Sequence, residues 1–176
     1  SGRTEILNEV FPRVHAEMEK MSFHYDECRG MGATLSLGWF SAGWMHFAHI
    51  GDSRIYYRHQ GGGVRQLTED HSYVGSLRRK GKINEREARN HPQKNTLSQV
   101  LGAGKRRVDP QLGAVRVEKG DRFLFCSDGL MDGLWDRAIV EAMMEWEMPT
   151  LAERIVDEAV KTSGRDNTTC VVVEVK

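Results

Sequence analysis

Arg122-Phe-Leu-Phe-Cys-Ser-Asp-Gly-Leu130 decides how this chain is read. An apolar run passes straight into an aspartate followed by glycine, which predicts a buried strand ending in a fixed carboxylate. The glycine predicts a sharp turn at Asp128, so that the chain leaves while the carboxylate stays at the strand end. Two further aspartates have comparable settings. Asp52 stands in Gly51-Asp-Ser-Arg54 between two strand-like runs, and Asp166 in Arg165-Asp-Asn-Thr-Thr169 just before a β-branched run. A sheet gathering these corners at one edge would present three hard carboxylates.

Oxygen ligands of this kind, with no His or Cys cluster at zinc spacing, favour Mg²⁺ or Mn²⁺. Such ions make water nucleophilic toward phosphorus at neutral pH, so hydrolysis of a phosphate ester is the expected chemistry. Asp-Gly and Asp-Ser are ordinary turn sequences when they occur singly. The specificity lies in their combination and order.

Working outward, strand-like runs at 34–40, 44–49, 55–57 and 64–67 are separated by short turns. This spacing predicts an antiparallel meander of hairpins. Further strands are expected at 113–117, 122–127 and 168–175. Residues 4–21 carry Ile6, Leu7, Val10, Val14, Met18 and Met21 at helical spacing, with a kink or restart at Pro12. Short helices are expected at 73–80 and 84–90. Longer ones are expected at 138–147, stopped by Pro149, and at 151–162.

With 176 residues, 39% hydrophobic and 28% charged, the chain suits one globular domain with a substantial core and excludes disorder or a fibre. Lys+Arg and Asp+Glu are both 25, so no global field points to nucleic acid or an anionic membrane. Cys28, Cys126 and Cys170 form a scattered, odd set, which predicts reduced thiols in a cytoplasmic setting. No stretch approaches the roughly 18 apolar residues of a membrane span, and residues 1–30 lack a signal-peptide core.

Gly32-Ala33-Thr34, Gly51-Asp-Ser-Arg54, Leu67-Thr-Glu-Asp-His-Ser72, residues 95–102, Gly120-Asp121, Ser127-Asp-Gly-Leu-Met-Asp132 and Asp166-Asn-Thr168 come in this order along the chain. The series resembles that of the metal-dependent protein phosphatases, the PPM or type 2C serine/threonine class, in its bacterial form. That resemblance covers nearly all of residues 5–175. It implies an α+β fold, a β-sandwich of antiparallel sheets flanked by helices, over a single domain spanning 1–176. It also implies hydrolysis of phosphoserine and phosphothreonine in a phosphorylated protein substrate by metal-activated water, with direct attack and no phosphoenzyme.

By position, Asp128 and Asp166 resemble the aspartates of a binuclear Mg²⁺ or Mn²⁺ centre, with Asp128 shared between ions. Asp52 resembles the ligand of an additional, weaker metal. Residues 68–109 resemble a substrate-facing flap, and Arg78, Arg79, Lys80 and Lys82 within it form a positive cluster that reads as a solvated helix face or as a mobile flap beside a phosphate site. The family also has N-terminal motifs, among them an Asp-Gly-x-Gly-Gly whose aspartate bridges both ions, and these do not occur in the 176 residues. The expectation is therefore a domain without its N-terminal strands and first helix, with exposed sheet edges open to dimerisation or domain swapping. A non-catalytic phosphatase-like binding or regulatory module is the alternative, and an assembly in which a second chain fills the missing strands is a third reading.

Several neighbours of the aspartates have expected roles. Arg54 and Arg165 would brace carboxylates. His46 and His49 would point to opposite faces of one strand, and His71 would cap a helix or pin a loop. Asp132 would support Asp128 or cap the following helix.

Overall fold

The computed structural model describes residues 2–176. In chain order the elements are α1 (Gly2–His24), β1 (Gly32–Ala33), β2 (Leu35–Ser41), β3 (Trp44–Ile50), β4 (Arg54–Arg58) and β5 (Val64–Gln66). There follow α2 (Tyr73–Arg79), α3 (Glu85–Arg89), β6 (Leu101–Gly102), β7 (Gln111–Arg116) and β8 (Arg122–Cys126). The chain closes with α4 (Asp128–Gly133), α5 (Asp136–Glu145), α6 (Met148–Thr162) and β9 (Cys170–Glu174). The fold is α+β with antiparallel pairing. Its contacts divide into two compact units: the chain up to Asp52 together with Glu69–Val115, and Ser53–Thr68 together with Arg116–Lys176.

In the first unit, β2, β3 and β7 form one sheet in that order. β2 and β3 are a hairpin with Leu35 opposite Ile50 and Ser41 opposite Trp44. Ala42 and Gly43 both take positive φ (51° and 78°), the backbone of a two-residue turn that matches strand twist. This register puts Leu35, Leu37, Ala48 and Ile50 on one face, where α1 lays Leu7 and Phe11 with Val10, Val14 and Met18 beside them.

The expected restart at Pro12 is not found. α1 runs through it, and burial of Phe11 helps offset the backbone hydrogen bond that proline cannot donate. Ile6 and Met21 stay exposed, so the buried stripe is narrower than the sequence pattern. A two-residue ladder, β1 against β6, was not foreseen. There His15 accepts from the Gly102 amide through Nδ1 at 3.0 Å and points Nε2 at the Lys105 carbonyl, also at 3.0 Å.

In the second unit the order is β5-β4-β8-β9, antiparallel throughout. Tyr56, Leu124 and Cys126 from the sheet pack with Leu130, Ile139, Met143, Leu151, Ile155 and Ala159 from the helices. Each fully buried Leu or Ile contributes on the order of 2 kcal/mol. Gly133 allows α4 to approach α6 closely, since a Cβ there would lie 2.3 Å from the Ala159 carbonyl. Arg58 and Arg122 donate to carbonyls near the end of α5, those of Met143 and Trp146, where a cation suits the helix dipole. Pro149 lies in the first turn of α6, after α5 has ended at Glu145.

The expected meander is therefore corrected. β3 and β4 belong to different sheets, and Gly51-Asp52-Ser53 is a connection between sheets rather than a hairpin. At Gly51 φ is 110°, and a Cβ would lie 2.3 Å from Thr34 Cγ2, a backbone position open only to glycine.

Candidate active site

β8 delivers the chain through Ser127 to Asp128, the first residue of α4. Ser127 does not cap that helix. Instead its amide donates to the Thr169 carbonyl at 3.0 Å, and its Oγ accepts from the Thr169 amide at 3.1 Å and lies 3.3 Å from the Asn167 carbonyl. The residue stitches the strand end to the segment entering β9. Asp166 begins that segment, with Oδ1 accepting from the Asn167 amide at 2.7 Å.

Gly129 closes the arrangement for a reason other than the one expected. It is helical and buried, and a Cβ at this position would lie 2.4 Å from the Asn167 carbonyl oxygen and 2.9 Å from Thr168 Oγ1. Close approach of two chain segments, not a turn, is what demands glycine after Asp128. The result is a carboxylate pair. Partial burial, followed by the Asp166 and Asp132 carboxylates, raises the Asp128 pKa above the ordinary range.

Asp52 lies in the first unit, at the end of β3. Its preceding residue is held from both sides: the Gly51 carbonyl accepts from the His71 amide at 2.7 Å, and the Gly51 amide donates to His71 Nδ1 at 3.3 Å. His49 is fully buried behind this turn, with Nδ1 2.8 Å from Ser36 Oγ and Nε2 within 3.0 Å of the Gly51 and 3.2 Å of the Glu69 carbonyls. Both carbonyls can only accept, so Nε2 carries the proton and Nδ1 accepts from Ser36. Burial, then His71, lowers the His49 pKa to about 4, so the ring is neutral at neutral pH. His46, three residues earlier, is on the opposite face of β3, paired with Trp39.

The two arginines behave differently. Arg54 is buried and donates from Nη1 to Tyr56 Oη and to Asp136 Oδ1, both at 2.8 Å, so the carboxylate it braces is that of α5. Arg165 is exposed and makes no ion pair among the described residues, so its expected bracing role is not found. No group of three His, Cys, Asp or Glu side chains among the described residues is arranged to hold a metal ion. Sequence reasoning missed His49 as the support of the Asp52 turn. The signal was its place three residues before Asp52, opposite a serine that only the hairpin register reveals.

The Protein phosphatase 2C family profile matches residues 3–163. The chain belongs to that family. It is 37% identical over 149 residues to the serine/threonine protein phosphatase PstP of Mycobacterium tuberculosis, covering 85% of this chain and 28% of that protein. It is 36% identical over 172 residues to the serine/threonine phosphatase stp of Listeria monocytogenes, covering 96% of this chain and 66% of that one. The chain thus spans less than two thirds of these relatives. The PstP catalytic domain, solved in complex with two manganese ions, superposes with a TM-score of 0.80 at 32% identity, covering 97% of this chain and 72% of that one. No helix among the described residues is long and apolar enough to cross a membrane.

Proposed function

We propose that this chain carries catalytic carboxylates of a metal-dependent protein serine/threonine phosphatase that hydrolyses phosphoserine and phosphothreonine in protein substrates. The observation that carries the reading is the Asp128–Asp166 pair, held at the junction of β8, α4 and β9 with the Asp128 pKa raised by burial and by its acidic neighbours. Like charges kept together by backbone contacts suit a hard divalent cation, which would relieve their repulsion. When bound, Mg²⁺ or Mn²⁺ would supply charge for the phosphate and an activated water.

In this reading Asp128 and Asp166 hold the ions, and Asp52 is the ligand of an additional, weaker one. Ser127 and Gly129 keep the two carboxylate-bearing segments in register. Residues 68–109 are the substrate-facing flap within one phosphatase domain, and Arg78, Arg79, Lys80 and Lys82 give it positive charge. Cys28, Cys126 and Cys170, none of them in a disulfide, fit a cytoplasmic setting. The place of β9 as the outer strand of its sheet supports pairing of copies through a sheet edge.

A non-catalytic phosphatase-like module is the second reading, favoured by the lack of a three-ligand cluster among the described residues. Phosphate release from a phosphothreonine peptide with Mn²⁺ separates the two. Release that needs the ion and is lost in Asp166→Asn supports the enzyme. A folded chain that releases nothing supports the binding module.

A further inference from the structure

Cys126 and Cys170 are directly opposite each other across β8 and β9, as the final pair of the ladder. Neither is in a disulfide, Cys126 being buried and Cys170 half-buried. The next pair along, Ser127 and Thr169, is joined by the Ser127 amide donating to the Thr169 carbonyl at 3.0 Å. Hydrogen-bonded and non-hydrogen-bonded pairs alternate along an antiparallel ladder, so Cys126 and Cys170 occupy a non-hydrogen-bonded site. At such sites opposing Cα atoms are about 4.5 Å apart and the side chains leave the sheet on the same face. Disulfides bridge Cα separations of about 4.4 to 6.8 Å, so the backbone is already spaced for the bond.

The present contacts of the sulfurs agree with a shared face. Cys126 Sγ is 3.7 Å from Met131 Sδ on α4, and Cys170 Sγ is 3.6 Å from the Ala152 carbonyl on α6. Both helices pack on the same side of the sheet, in the core that holds Cys126 and Leu124. Pairing requires the two sulfurs to leave these contacts and turn toward each other. Cys28 lies in the first unit and takes no part in this ladder.

We propose that Cys126 and Cys170 are an oxidation site at which hydrogen peroxide closes a cross-strand disulfide at the junction carrying Asp128 and Asp166. In the first step the Cys170 sulfur attacks the peroxide oxygen. The O–O bond breaks, Cys170 becomes a sulfenic acid, and the released hydroxide takes the thiol proton and leaves as water. In the second step the Cys126 sulfur attacks the Cys170 sulfur. The S–O bond breaks, and the departing hydroxide takes the Cys126 proton as a second water. Two thiols are oxidised and one peroxide is reduced to two waters.

The bond would covalently join the last residue of β8 to the first of β9, one residue from the Ser127–Thr169 stitch. Burial raises the Cys170 thiol pKa, so the first step needs sustained exposure to peroxide. The proposal does not depend on the chain being an active phosphatase.

The test treats the folded chain with hydrogen peroxide, quenches it, alkylates it under denaturing conditions and measures intact mass and tryptic peptides. The expected result is a mass lower by two hydrogens, alkylation at Cys28 alone, and one linked peptide pair holding Cys126 and Cys170, all reversed by dithiothreitol. Cys170→Ser should abolish the linkage while circular dichroism shows the fold intact. Cys126→Ala serves the same purpose should Cys170→Ser fail to fold. Recovery of Cys126 and Cys170 as alkylated thiols, their conversion to sulfinic acids without linkage, or pairing of either with Cys28 would overturn the proposal.

Discussion

Gly129 and Asn167 are in such close approach that a single methyl group at 129 would lie 2.4 Å from the Asn167 carbonyl oxygen. That contact sets the distance between the segments bearing Asp128 and Asp166, and it makes the first prediction. Because Gly129 is helical, alanine is tolerated by the local backbone and the penalty is steric. Gly129→Ala should cost about 1 to 3 kcal/mol of stability, the range for overpacking a tight contact. It should also weaken Mn²⁺ binding, because the 166–168 segment must move away. Urea unfolding and calorimetric titration of one preparation check both effects, and unchanged metal affinity would detach Gly129 from the site.

His49 gives a pH dependence with a definite sign. Its folded pKa, about 4, lies below the ordinary histidine value of 6.5, so the unfolded chain binds the proton more readily between these values. Stability therefore falls as pH drops from about 6.5 toward 4 and levels off below. The contribution at stake is on the order of 3 kcal/mol. His49→Gln should flatten the pH slope of the urea midpoint in this window. An unchanged slope would place the acid sensitivity elsewhere.

Asp121 predicts a larger loss. Its buried carboxylate accepts from Tyr57 Oη at 2.9 Å and from the Gln60 and Glu118 amides at 2.8 and 3.0 Å, with His59 Nδ1 at 2.9 Å. Burial alone would raise its pKa, but these donors outweigh burial and hold it below the ordinary carboxylate range. Asp121→Ala leaves the two amides and the tyrosine hydroxyl without their acceptor. The expected cost is about 3 kcal/mol or more by chemical denaturation. A cost below about 1 kcal/mol would mean that water replaces the carboxylate.

The longer elements were largely legible because β2, β3, β4, β8 and β9 are rich in apolar residues and bounded by glycine or a polar turn, and because α5 and α6 carry strong apolar stripes. What the sequence did not disclose is the pairing beyond the β2–β3 and β4–β5 hairpins. Nothing in Gly51-Asp52-Ser53 distinguishes a hairpin from a passage between sheets, since both need a turn, and only long-range contacts decide.

Asp128 and Asp166 were legible as candidates through their motifs, whereas the reason for Gly129 was not. Its partner is 38 residues away, and a helical glycine that admits a neighbouring carbonyl reads the same as a turn glycine. The roles of Arg54 and His49 were hidden likewise, since Asp136 and Ser36 meet them only after folding.

The proposed function requires Asp128 and Asp166 to hold a divalent cation for phosphate hydrolysis. Its most direct test is calorimetric titration of Mn²⁺ into the wild-type chain, Asp128→Asn and Asp52→Asn, with p-nitrophenyl phosphate turnover followed on the same samples. The proposed function implies saturable binding and metal-dependent turnover in the wild type, loss of both in Asp128→Asn, and a smaller loss of affinity in Asp52→Asn. Folded wild-type protein that neither binds nor turns over at millimolar Mn²⁺, or equal losses in the two variants, would contradict it.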